Sequence, residues 1–267
     1  MDYTLDDLIR LMDALRTPDS GCPWDLEQTF ASIVPHTLEE AYEVADCIER
    51  EDWLHLKDEL GDLLFQVVFY ARMADERGWF DLRAIIAQLV AKLIRRHPHV
   101  FPDGTLDGKG ANALAVEQVD SNWEAIKQQE RNAKSRTGVL DDVPLNLPGL
   151  SRAAKLQRRA ARVGFDWPEI GGVIDKIEEE IAELRAALEA GDRDNEREEI
   201  GDLLFAQVNL ARHLEIDPEQ ALRNTNGKFE RRFGHVEQQV RSGGHDWKQL
   251  ELSQLDQWWD EAKAKGL

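Results

Sequence analysis

Between Gly61 and Ala74 the chain is almost continuously apolar and is bounded on both sides by charge. That run is too long for an ordinary strand of about 5–6 residues and reads as a helix. Residues 36–50 and 173–190 carry polar and apolar positions at helical spacing. Short turns follow these stretches, Glu51-Asp52 in the first half and Gly191-Asp192 in the second, and turns of that length join antiparallel helices. Strand signals are sparse: alternating Val/Ile/Thr runs are few, and Asn226-Gly227 lies in a polar, helix-like context rather than between apolar strands. The pattern predicts an all-α fold with an antiparallel helix pair at the centre of each half. The second helix of each pair is apolar over more surface than one hairpin can cover. A neighbour must supply the rest, either the other half or a second chain. The expected form is a homodimer in which helix pairs complete four-helix bundles.

The two halves are copies. Glu59-Leu60-Gly61-Asp62-Leu63-Leu64-Phe65 returns 140 residues later as Glu199-Ile200-Gly201-Asp202-Leu203-Leu204-Phe205, and Glu39-Glu40-x-x-Glu43 returns as Glu179-Glu180-x-x-Glu183 at the same interval. Lys92, Arg95, Arg96 and His99 recur 136 residues on as Lys228, Arg231, Arg232 and His235, followed by Trp123/Trp259 and Lys127/Lys263. One unit was duplicated, and one copy is four residues shorter between these blocks. The stretch 132–150, with Gly138, Pro144, Pro148 and Gly149 and no sustained periodicity, reads as a linker. The expected organisation is a first unit over 1–130, a linker over 131–150 and a second unit over 151–267. A glycine-bearing loop over 102–112 accounts for the extra length of the first unit.

Composition narrows the function classes. Hydrophobic residues make up 42% and charged residues 32%, which suits a soluble globular chain and not a disordered one. No apolar run reaches the ~18 residues of a membrane span, and the amphipathic, acidic N-terminus does not resemble a secretory signal. Two cysteines, Cys22 and Cys47, are too few for a disulfide framework, so reduced thiols and a cytoplasmic location are expected. The net charge of −19 disfavours nucleic acid polymers and anionic membranes as partners.

Some of that acid is placed. Residues three or four apart share a helix face, so Glu180 and Glu183 project together, as do Glu199 and Asp202 on the next helix. The first copy offers Glu40, Glu43, Glu59 and Asp62 in the same arrangement. A single E-x-x-E is ordinary on a solvated helix. A paired E-x-x-E and E-x-x-D, each second pair abutting Leu-Leu-Phe and the whole repeated, points to a cation. An all-oxygen set suits Mg²⁺, with Mn²⁺ as a substitute, and no Cys or His joins it at a zinc-like spacing. The chemistry favoured is metal-assisted phosphoryl transfer to water.

These motifs resemble the signature of the all-α NTP pyrophosphohydrolases. The tandem arrangement is similar to the MazG family, as are Gly21-Cys22-Pro23-Trp24-Asp25, the stretch from Glu59 to Arg72, and Arg159 to Asp166. The resemblance spans nearly the whole chain. It implies hydrolysis of NTPs or dNTPs to the monophosphate and pyrophosphate with Mg²⁺ in a homodimer. Attack at the α-phosphorus comes from the resemblance alone. The resemblance also implies that the C-terminal unit is the active one.

Accessory groups are read with two meanings each. Lys228, Arg231 and Arg232 share a helix face and suit a triphosphate, or salt bridges to nearby glutamates. Lys155, Arg158 and Arg159 form a weaker triad with no counterpart in the first unit. Trp259 could stack on a base or simply pack, and Trp24 and Trp167 read as loop anchors. Asn209 replaces Phe69 of the first copy, a polar side chain in an apolar helix that suits a sugar or base, or a helix–helix hydrogen bond. Glu179 or Glu39 could orient water. Two rival readings stand beside the hydrolase: a house-cleaning enzyme selective for damaged or non-standard nucleotides, and a non-catalytic acidic helical interaction protein.

Overall fold

The computed structural model describes residues 2–108, 118–119, 122–123, 126, 130, 138–141 and 143–267. Lys127, residues 109–112 of the expected loop, and 131–137 and 142 of the expected linker lie outside the described residues. Every regular element among the described residues is helical, and there is no strand. No helix among them is long and apolar enough to cross a membrane. The chain divides into two compact units, Met1–Glu130 and Arg131–Leu267.

The first unit contains α1 (Leu5–Leu15), α2 (Pro23–Glu27), α3 (Phe30–Glu49), α4 (Trp53–Asp75) and α5 (Leu82–Arg96). Its helices begin where side chains satisfy the free N–H groups of a first turn. Thr4 and Thr29 close capping boxes on α1 and α3, and Asp52 and Asp81 cap α4 and α5. α3 and α4 form the antiparallel pair, and α1 and α5 pack on α4. The apolar run read in the sequence supplies Val68, Phe69, Ala71 and Met73 to a core completed by Met12, Ile33 and Leu82.

The second unit repeats the pair. It contains α6 (Gly149–Ala161), α7 (Ile170–Ala190), α8 (Arg193–His213), α9 (Pro218–Ser242) and α10 (Leu252–Ala264). α6 begins at Gly149, inside the stretch read as linker. α7 and α8 pack along their lengths, α6 covers α8, and α9 packs against α10. Asn226-Gly227 lies within α9, which runs uninterrupted through it.

The two hairpin turns are built alike. Glu51 and Gly191 both take the left-handed conformation, at φ 55° and 69°, and Asp52 and Asp192 cap the following helix. Gly191 has no Cβ to oppose that conformation, whereas Glu51 carries one. The turn reverses the chain within two residues, so the E-x-x-E of one helix faces the E-x-x-D of the next. Part of each pair's apolar surface stays open. Leu38, Tyr42, Leu60, Leu64 and Val67 are exposed in the first unit, and Ile174, Ile200, Leu204 and Phe205 in the second.

Candidate active site

Each helix pair gathers its carboxylates. In the second unit, oxygens of Glu180, Glu199 and Asp202 lie within 4.8 Å of one another, and in the first unit those of Glu40, Glu43 and Glu59 do so. Glu183 and Asp62 stand outside these trios but belong to the same electrostatic groups. Burial raises the Glu199 carboxyl above its ordinary range, and the charges of Glu183, Glu180 and Asp202 raise it further. Burial and the charges of Asp62, Glu43 and Glu59 do the same to Glu40, and Glu59 is raised by burial, Glu43 and Asp62. These are carboxylates that repel one another and lack enough cationic neighbours among the described residues.

One partial neighbour was missed in the sequence. Lys176 Nζ lies 2.8 Å from both Glu179 and Glu180, and these pairs, led by the hydrogen bond to Glu179, hold the ammonium well above the ordinary lysine range. Lys176 sits one helical turn before Glu180, so the same three-and-four spacing that groups the acids also reaches it. Glu180 is 4% exposed and is therefore a buried charge with one partner. The corresponding position of the first unit is His36, which meets Glu39 at 3.6 Å.

A cavity of about 500 Å³ opens beside the second trio and reaches from Glu180, Asp202 and Lys176 to Asn209 and Arg212. Asn209 is 5% exposed, and its Oδ1 accepts from Arg212 Nε at 2.9 Å and Nη2 at 2.7 Å. Arg212 and His213 also hold Asp166. Burial alone would raise the Asp166 carboxyl, but these two partners outweigh it and keep it below the ordinary range. Gln157 in the cavity wall donates to the Phe205 carbonyl at 2.7 Å, while its Oε1 is buried without a donor. An unmet buried acceptor costs about 1–3 kcal/mol. In the first unit, the position of Asn209 is Phe69, fully buried, with the Arg16 guanidinium 5.3 Å from its ring centre.

The basic triads also differ. Arg95 and Arg96 both bind Glu130, whose carboxyl they hold down to about 2. On α9, Arg231, the counterpart of Arg95, and Lys228, the counterpart of Lys92, are exposed and make no ion pair among the described residues. Arg232 is engaged, with Nε donating to the Leu267 carbonyl at 2.7 Å and the guanidinium 5.8 Å from the Trp259 ring. Trp259 packs on Phe229 at 5.2 Å and does not line the cavity, and Glu179 is exposed apart from its bond to Lys176.

The sequence model of the MazG nucleotide pyrophosphohydrolase domain matches residues 28–101 and 172–237, two segments that contain the two sets of carboxylates. The chain belongs to the MazG family. A nucleoside triphosphate pyrophosphohydrolase of Escherichia coli K12 is 50% identical over 263 residues, 98% of this chain and 97% of that protein. A Thermotoga maritima protein named nucleoside triphosphate pyrophosphohydrolase/pyrophosphatase MazG is 43% identical over 259 residues, 97% of this chain and 95% of its own. A Mycobacterium tuberculosis nucleoside triphosphate pyrophosphohydrolase is 37% identical over 163 residues, 60% of this chain and 46% of that protein. Both family segments carry the paired acidic motifs, so membership alone does not distinguish the two units. Lys176 in place of His36, Asn209 in place of Phe69 and the unpaired Lys228 and Arg231 do.

A pH dependence follows from the raised carboxyls. A proton on Glu199 competes with a cation, and Glu199 keeps its proton to a higher pH than an isolated glutamate of about 4.3. Cation affinity is therefore expected to fall as pH decreases, starting above the ordinary glutamate range. Calorimetric Mg²⁺ titrations of the wild type and Glu183→Gln between pH 7.5 and 5 check this. Removing the Glu183 charge should move the onset to lower pH, and an unmoved onset would contradict the coupling.

Proposed function

We propose that the second unit hydrolyses nucleoside triphosphates to the monophosphate and pyrophosphate. The observation that carries this reading is that Glu180 and Asp202 belong both to the carboxylate trio and to the wall of the cavity. The donor set fits a hard divalent cation, because it is all oxygen, mutually repelling and partly buried. Glu180, Glu183, Glu199 and Asp202 would hold Mg²⁺, or Mn²⁺ in its place, and Glu40, Glu43, Glu59 and Asp62 offer the same donors in the first unit. When bound, the metal supplies charge to the phosphate oxygens and lowers the pKa of a water.

The chain's own residues do the rest. Lys176 keeps a fixed positive charge beside the carboxylates and can pass it from Glu179 to a phosphate oxygen as substrate arrives. Glu179, released from that pair, is then free to orient a water. Lys228 and Arg231, with Arg232 braced on Trp259, give the outer phosphates exposed cations. Asn209, with Oδ1 committed to Arg212, keeps its Nδ2 for the nucleoside. The open apolar faces around Leu60, Leu64, Leu204 and Phe205 support a homodimer in which helix pairs meet.

The test is to incubate the pure chain with each NTP and dNTP and Mg²⁺, with and without EDTA, and identify the products. Monophosphate and pyrophosphate, lost on chelation, are expected. Diphosphate and orthophosphate would overturn the reading.

A further inference from the structure

One wall of the second unit's cavity comes from outside its helices. Leu140, in the stretch of chain just before α6, lines the cavity together with Leu156, Gln157 and Ala160 of α6. That stretch folds into a turn. The Gly138 N–H donates to Asp141 Oδ2 at 2.9 Å, the Asp141 N–H returns to the Gly138 carbonyl at 3.2 Å, and the Val143 N–H reaches the Leu140 carbonyl at 3.4 Å. A Cβ on residue 138 would stand 2.6 Å from Asp141 Oδ1, so the turn closes this tightly because residue 138 is glycine. Val143, 7% exposed, anchors its far end. Arg159 ties the turn to α6: its Nη1 donates to the Asp141 carbonyl and, at 3.4 Å, to the Val139 carbonyl. Arg159 directly precedes Ala160, so the guanidinium that grips the turn and part of the wall beside Leu140 belong to the same turn of helix. One member of the α6 basic triad thus has a task other than phosphate binding. Lys155 and Arg158 are exposed, whereas Arg159 is partly buried against backbone carbonyls. Leu140 is nevertheless 49% exposed, and an occupant of the cavity would cover its open face.

We propose that residues 138–141 are a strap on the rim of this cavity, that Arg159 is the positioning residue that holds it, and that the strap and a bound nucleotide stabilise each other. This rests on the proposed hydrolase reading, which puts the nucleotide in that cavity, and adds to it a piece of wall supplied by the chain ahead of α6. Covering the open face of Leu140 favours the ligand, and the ligand in turn holds the strap down. Linkage makes these two effects equal: the factor by which the held strap improves affinity is the factor by which the ligand shifts the strap toward its held state. Leu140 is apolar and Arg159 is spent on backbone carbonyls, so neither meets the charge that develops during hydrolysis. Their contribution is to binding, and it belongs in KM and not in kcat.

The experiment is hydrogen exchange, read by mass spectrometry on the peptide spanning 138–143 of the full chain with Mg²⁺ and α,β-methylene ATP, alongside steady-state kinetics of pyrophosphate release. In the wild type the analogue is expected to slow exchange of this peptide about fivefold to tenfold. Arg159→Ala should exchange faster without ligand, bind the analogue about fivefold to tenfold more weakly and raise KM for ATP by a similar factor, with kcat within about twofold. Leu140→Ala removes a half-exposed side chain, so it should keep the wild-type melting temperature and still raise KM. Exchange of 138–143 that is the same with and without the analogue would overturn the strap, and so would wild-type KM in both variants. A fall in kcat matching the rise in KM, with a lowered melting temperature, would also overturn it, since that pattern marks a general loss of structure. In each of these outcomes, pyrophosphate release by the wild type leaves the hydrolase reading in place. Analogue-dependent protection of the strap in a chain that releases no pyrophosphate would instead sink the hydrolase reading and leave the strap standing.

Discussion

Asp202→Asn is expected to lower pyrophosphate release by about a thousandfold or more, whereas Glu40→Ala leaves most of it. The substitution conserves shape and removes one charge from a site whose chemistry depends on gathered charge. It should not unfold the protein. Asp202 is exposed and contributes to the repulsion that raises Glu199, so its neutralisation relieves a native-state cost in the metal-free chain. Thermal unfolding without metal should therefore occur at the same or a slightly higher temperature in the variant, while Mg²⁺ raises it less than in the wild type. Glu180→Ala should be as inactive as Asp202→Asn, since Glu180 is the buried member of the trio and the partner of Lys176. Glu40 occupies the same register in the first unit, but there the lysine is replaced by His36 and the arginines corresponding to Arg231 and Arg232 are consumed by Glu130. Equal losses of activity from Glu40→Ala and Asp202→Asn, in steady-state assays of properly folded protein, would refute the asymmetry between the units.

What could be read from the sequence was what local geometry settles. The turns at Glu51-Asp52 and Gly191-Asp192, the run through α4 and the spacing of the acidic pairs all follow from helical periodicity and from residues a few positions apart. Lys176 is equally legible in the sequence, since it stands four positions before Glu180 on the same helix face. The odd polar residue Asn209 was recognised, and its partner turned out to be Arg212 on the next turn rather than a residue of another helix. The cavity itself was not legible. It depends on Asp166 meeting Arg212 across 46 positions and on a tryptophan lying against a glycine, relations that no repeat or period encodes. Trp167 read as a loop anchor because the sequence shows the loop and not what the loop faces. Trp259 reads from its position in the repeat as stacking on a base or as packing, and its packing partners, Phe229 and Arg232, are visible only in the structure.

Phe69→Ala is expected to destabilise the first unit by about 3–5 kcal/mol, the largest stability effect of any change considered. Phe69 has no exposed surface, meets Phe65 edge to face at 5.8 Å and carries Arg16 over its ring at 5.3 Å. Truncation leaves a void among Met12, Val68 and Met73 and removes the surface against which the Arg16 guanidinium lies. Arg16 is only 7% exposed and pairs with Glu76 at 2.8 Å, so its charge cannot escape to solvent without breaking that pair and exposing α4. The cost therefore adds a weakened ion-pair environment to the cavity. A fall in the melting temperature of the first unit on the order of 10 °C follows for a body of this size. Because a chain of two compact units need not melt in one step, the measurement is calorimetric, with the transitions resolved. Asn209→Ala at the same register of the second unit should cost far less, since it faces a cavity already open and releases Arg212 to a retained partner, Asp166. If Phe69→Ala and Asn209→Ala lowered stability by similar amounts, the two units would not differ as they do in packing: one filled at this point by its own side chains, the other open to a ligand.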